Sequence, residues 1–70
     1  MKLTTVQRIR TGVVFTHSGL IKGRDGNTHQ AKKVRQGQRF IHFGDHSMDV
    51  ETRKECILHP KDLVHVERWR

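Results

Sequence analysis

One cysteine, one proline, one tryptophan and no tyrosine are present in a chain of 70 residues. The single thiol, Cys56, rules out an internal disulfide framework and fits a reducing compartment. No apolar run approaches the roughly 18 residues that a membrane-spanning helix needs. The opening Met1-Lys-Leu-Thr-Thr-Val-Gln-Arg is too polar for a secretory leader, so a cytoplasmic protein without membrane contact is expected. Three phenylalanines, one tryptophan and scattered Val, Ile and Leu make a small core. A single domain of this size buries only about 60% of its unfolded surface, so association with a partner or a second copy would help to stabilise it. Carboxylates are also scarce at one end. Residues 1–39 hold nine Lys and Arg against Asp25 alone, whereas residues 40–70 hold five against six, so the formal charge of +7 belongs to the first half. Such asymmetry favours and speeds encounter with polyanions or acidic protein surfaces, and it also fits a simple solvated face.

What the chain does have is a train of short β-forming runs. Residues 34–66 read as Val34-Arg-Gln-Gly-Gln-Arg-Phe-Ile-His-Phe, a Gly-Asp-His-Ser turn, Met48-Asp-Val, Glu55-Cys-Ile-Leu and Pro60-Lys-Asp-Leu-Val-His-Val. Gly, Pro and Asp punctuate β-branched and aromatic residues, the pattern of a small all-β barrel or sandwich. Upstream, residues 1–10 read as an N-terminal arm or strand, although Leu3, Val6 and Ile9 are also spaced like a helical turn or two. Thr11–Thr16 has the composition of a strand. The glycine-rich, basic stretch 18–33, with Asp25-Gly-Asn at its centre, reads as a hairpin or a long loop. A helix is expected nowhere except for a single turn at Pro60-Lys-Asp. The spacing thus predicts one domain over 1–70, a barrel of about five to six short strands. Alternation sets Ile41 and Phe43 on one face and Phe40 and His42 on the other, and sets Val64 and Val66 opposite His65 and Glu67. Trp69 is expected over a barrel end or across a subunit boundary.

Six histidines invite a metal reading. The best grouping is His42, His46, Cys56 and His59, which are ligand types that zinc accepts, but His42 and His46 flank a turn and one Cys with three His is an uncommon set. Histidines on the wet face of strands are expected as surface residues and Cys56 as a small core residue, so no metal and no cofactor is expected. Alternation puts Cys56 and His59 on opposite faces, no Asp pair is placed for acid–base work and no phosphate loop precedes a helix. An enzyme is not expected.

The order of motifs from Val34 to Val66 resembles the C-terminal half of the GroES-type co-chaperonins, over about half the chain. The resemblance implies a GroES-like or SH3-like barrel that binds protein without catalysis, as a homo-oligomer, and a short, basic relative of the kind carried by compact viral genomes. Upstream, Thr11-Gly-Val-Val-Phe-Thr-His-Ser fits two registers. It resembles the family's mobile loop, which docks into an apolar groove of the chaperonin, and it also fits the strand that follows that loop, a register that needs fewer deletions and leaves the loop out. The expected partner is a chaperonin or another host protein, met through Gly12, Val13, Val14 and Phe15 and through Leu20 and Ile21 of the glycine-rich loop. The alternative is a basic barrel that binds DNA or RNA through a lip formed by Lys22, Arg24, Lys32, Lys33, Arg35 and Arg39, with phenylalanines as stacking platforms. The three phenylalanines are instead assigned to the core, since little else aromatic is left to bury. A third reading has the same basic surface gripping an acidic patch on a host protein.

Overall fold

Seven short strands form a single antiparallel, barrel-like sheet in the computed structural model, which describes residues 2–66. Trp69 and Glu67 lie outside the described residues. In chain order the strands are β1 (Lys2–Thr5), β2 (Val14–Lys22), β3 (Thr28–Gln30), β4 (Arg39–His42), β5 (Ser47–Asp49), β6 (Glu55–Cys56) and β7 (Asp62–Val66), with one 3₁₀ turn at Val6–Arg8. The order across the sheet is β1-β7-β2-β4-β5-β6, and β3 pairs with the far end of β2. The all-β barrel expected from the sequence is present, with seven strands instead of five or six. The Cα radius of gyration is 11.0 Å. A single compact domain of 70 residues is expected to measure about 11 Å.

β2 organises the sheet. Its first half pairs with β4, its second half with β3, and its other edge with β7. One strand serves three partners because it is kinked: the register with β7 shifts between His17 and Leu20. Gly19 sits in that bulge at φ +79°, and a Cβ there would lie 3.1 Å from the Gln36 backbone nitrogen. Gly19→Ala therefore meets both a left-handed backbone and a crowded neighbour, and is expected to lower stability by about 1–3 kcal/mol. Chemical denaturation would check this.

The core is built from alternate residues. Phe15 and Phe40, cross-strand neighbours on β2 and β4, stack with centroids 5.7 Å apart, and Val6, Ile9, Val13, Val34, Val64 and Val66 close around them. Four sequence expectations are corrected here. The turn at Pro60 is not helical: Asp62 N–H donates to the His59 carbonyl, and the chain passes straight into β7. A helical turn stands where none was expected, the 3₁₀ turn at Val6–Arg8, directly after β1, which is the expected N-terminal strand. Phe43 is not core but 40% exposed, because Phe40 and His42 take the inward positions of β4. Two histidines leave the expected wet face, His17 on β2 (0% exposed) and His42 on β4 (5%). They are tolerated inside because each has polar partners. His42 Nδ1 lies 3.0 Å from Ser47 Oγ. His17 Nδ1 accepts from the Gly19 N–H at 2.8 Å, which leaves the proton of the neutral ring on Nε2, 3.2 Å from Asp62 Oδ2 but without hydrogen-bond alignment.

Candidate binding groove

The stretch between β6 and β7 was expected to continue a strand through Ile57 and Leu58. Pairing stops at Cys56 instead, which leaves Ile57 79% exposed and Leu58 half-buried against the core. This segment forms one wall of an open groove of about 620 Å³. The other wall is β3 and the residues that follow it, from His29 to Val34, and Ile21 of β2 lies between. Ile21, Ala31, Val34, Ile57, Leu58 and Pro60 give the groove an apolar surface, Lys32 and Lys33 supply positive charge at its side, and Asp62, buried beside His17, also lines it.

Beside the groove, β3 presents an edge that no strand among the described residues pairs. Gly23 N–H donates to the Asn27 carbonyl and Ala31 N–H to the Gly19 carbonyl. Antiparallel alternation then turns the odd-numbered residues 27, 29 and 31 toward β2 and directs the backbone groups of Thr28 and Gln30 away from it. All three β3 residues are exposed. The hairpin tip that orders this edge is braced by Asp25, whose Oδ1 accepts from the Asn27 N–H at 3.0 Å and lies 3.2 Å from His29 Nε2. Those contacts, the Asn27 backbone first, hold the Asp25 carboxyl below its ordinary range.

The expected partner-binding residues are divided by the fold. Val13 is 2% and Phe15 0% exposed, so neither can insert into a partner, and Gly12 is fixed by donating its N–H to the His42 carbonyl at 2.7 Å. This corrects the reading of 12–15 as a docking segment: the side chains of Val13 and Phe15 are the material of the core. Val14 is half-buried and pairs with Ile41 on β4. Ile21 does line the groove, and exposed Leu20 borders a smaller hollow beside Gln30 and Val34.

The expected basic lip is likewise divided. Lys32 and Lys33 stand at the groove and Arg35 at the neighbouring hollow. Lys22, next to Ile21 on β2, belongs to a different concavity with Arg8 and Lys61, and Arg24 is exposed on the hairpin tip. Arg39, opposite Thr16 on β4, is already engaged. Among the described residues no ion pair joins Lys22, Arg24, Lys32, Lys33 or Arg35 to a carboxylate. Asp25, Asp45, Glu55 and Asp62 are paired with histidines. Asp49 is held by Gln38 and by backbone N–H groups.

His42, His46, Cys56 and His59 do not come together as a ligand set. Among the described residues no group of three or more His, Cys, Asp or Glu is arranged to hold a metal. His42 points inward to Ser47, and its imidazole is held below the usual range by burial first and by His46 second, with Asp45 opposing. His46 turns outward, stacked on Phe43 at 5.3 Å and 2.6 Å from Asp45 Oδ1. His59 Nδ1 accepts from the Lys61 N–H, and Cys56 is a half-buried free thiol at the core margin.

Ile57, Leu58, Pro60, Ala31 and Val34 were not singled out from the sequence as groove residues, and neither Arg8 nor Lys61 as part of a cationic cluster. The available signal was the Ile57-Leu58 pair just before a proline, where an apolar run meets a turn. No helix among the described residues is long and apolar enough to cross a membrane. No protein-family model, no curated protein and no solved structure matches this chain.

Proposed function

We propose that this protein is a non-enzymatic binding module that holds an extended segment of a partner protein in the groove between β3 and residues 57–60. The observation that carries the reading is the apolar groove lying directly beside the unpaired edge of β3. An incoming strand can bond to the outward backbone groups of Thr28 and Gln30 while its alternate side chains enter the groove, the strand-addition mode of peptide recognition. Lys32 and Lys33, free of carboxylate partners among the described residues, favour a segment that carries acidic residues beside its apolar ones. This keeps the co-chaperonin-like expectation of protein capture without catalysis, and moves the contact from Gly12–Phe15 to the groove.

A second reading, nucleic-acid binding, is favoured by one specific observation: Lys22, Arg24, Lys32, Lys33 and Arg35 lack carboxylate partners among the described residues. If those five cations met phosphates, affinity would fall with salt at a log-log slope of about −3 to −5. The burial of Phe15 and Phe40 weighs against it, since stacking platforms are what sequence-tolerant single-strand binding uses.

Ile57→Ser separates the two. Ile57 is 79% exposed, so the variant keeps its fold, and it changes no charge. With a labelled peptide alternating Asp with Val and Leu as the probe, fluorescence anisotropy is expected to register binding that weakens about tenfold or more in Ile57→Ser, the loss of one buried aliphatic side chain. Oligonucleotide binding that is salt-sensitive and indifferent to Ile57→Ser, with no peptide binding, would replace this reading by the second. A homo-oligomer that Ile57→Ser dissociates in light scattering would identify the occupant as another copy of the chain.

A further inference from the structure

We infer that a separate concavity lined by Arg8, Lys22 and Lys61 is a phosphate-binding site. It measures about 290 Å³ and is lined by these cations together with Thr4, Thr5, Gln7 and two leucines, Leu3 and Leu63, and among the described residues no carboxylate lines it. Its three cations come from three separate parts of the chain: the last residue of the 3₁₀ turn, the last residue of β2, and the turn before β7. Their convergence is fixed by the backbone. Lys22 N–H donates to the Lys61 carbonyl at 3.1 Å, and Gln7 N–H donates to the Pro60 carbonyl at 3.1 Å, tying all three segments to the same turn. The β1–β7 pairing sets Thr5 opposite Leu63 on the same side.

Three cations around one hollow raise the local positive potential that an anion would meet, and among the described residues no Asp or Glu side chain is ion-paired with any of the three. Charge-assisted donors from Arg and Lys, with a threonine hydroxyl and an amide at the margin, are the groups that bind tetrahedral oxyanions. The hollow is larger than one phosphate. It therefore accommodates either a free phosphate with its water or a phosphate carrying a substituent, such as one unit of a nucleic-acid backbone. The site is distinct from the groove of the proposed function, since Lys22 and Ile21 are successive residues of β2 lining different concavities.

The test is an amide-resolved NMR titration of the whole isotope-labelled protein with inorganic phosphate near neutral pH, and in a second arm with a short oligothymidylate. Saturable shifts concentrated at Thr4, Thr5, Gln7 and Lys61 are expected. Arg8→Gln and Lys61→Gln, both at exposed positions, should retain the native spectrum and weaken binding by about tenfold each, the size of one charge-assisted hydrogen bond. If the oligonucleotide shifts the same amides and displaces phosphate, the natural source is a nucleic-acid backbone; if it leaves them unmoved, the source is a free or small-molecule phosphate. Shifts spread evenly over all basic residues, or binding that survives both substitutions unchanged, would overturn the site.

Discussion

Phe15→Ala is expected to leave the protein unfolded at room temperature. Phe15 has no exposed surface, stacks on Phe40 at 5.7 Å, meets the His42 ring edge-on at 6.3 Å and lies opposite Val66 of β7. Truncating such a side chain removes its transfer free energy and leaves a cavity that the two flanking strands cannot close, a cost of about 3–5 kcal/mol. A single core in a domain of this size rarely supplies more than about 3–5 kcal/mol, so one such substitution removes the whole margin. Loss of the β-sheet circular dichroism signal and collapse of amide dispersion would register it. Phe15→Leu, which keeps most of the volume, is expected to stay folded at a cost of about 1–2 kcal/mol. The pair also decides between two roles for residues 12–15. A docking segment would tolerate Phe15→Ala with its fold intact and lose only partner binding, so a folded Phe15→Ala protein would restore the reading that burial has set aside.

What the sequence made legible follows from range. The β-branched density of Thr11–Thr16 announces a strand whatever the rest of the chain does, and Asp25-Gly-Asn announces a reversal, because both signals are local. The hairpin of β2 and β3 was legible for that reason, as was the inward alternation of Val64 and Val66. The burial of His17 was not. It depends on Asp62, which arrives only through the β2–β7 pairing, and on the Gly19 N–H, which the bulge turns back onto Nδ1. Ile57 and Leu58 look like the continuation of Glu55-Cys56, and nothing local says that β5, only three residues long, leaves them no partner. The groove exists because that pairing stops. Arg8, Lys22 and Lys61 are spread over most of the chain and meet only once β1, β7 and β2 are in register, so charge counting located an excess in the first half without its convergence. The upstream segment offered for docking, Gly12–Phe15, is the one whose Val13 and Phe15 the core consumes.

Asp49→Ala is expected to lower stability by about 2–4 kcal/mol, the second largest effect after Phe15→Ala; Asp49 stands opposite the core residue Phe40 on the neighbouring strand. The carboxylate is 6% exposed and holds two parts of the sheet together. Its Oδ1 accepts from the N–H groups of Glu51 and Thr52 at 2.8 and 3.1 Å, which shapes the loop joining β5 to β6, and its Oδ2 accepts from Gln38 Nε2 at 2.6 Å. Gln38 in turn lies in the turn before β4, where its Oε1 accepts from the Arg35 N–H. The Gln38 amide is the chief cause that holds the Asp49 carboxyl below the ordinary aspartate value of 3.8, with the Thr52 and Glu51 backbone groups next. Because the folded value is depressed, the stabilisation is fully present above the unfolded value and is lost as pH falls through the folded one. Denaturation curves of the native protein should therefore lose stability below about pH 4. Those of Asp49→Ala should start lower at neutral pH and fall less steeply over the same interval, since one of the groups whose protonation unfolds the protein is gone. Asp49→Asn separates charge from shape. It keeps an acceptor for Glu51 and Thr52, but its amide opposes the Gln38 amide, and turning Gln38 over to meet it would forfeit the bond from Arg35. An intermediate loss with the flattened acid limb is the expected result. Equal acid sensitivity in all three proteins would remove Asp49 as the source of that pH dependence and shift it to Asp25 and Asp45, whose carboxyls are also held low but at exposed positions.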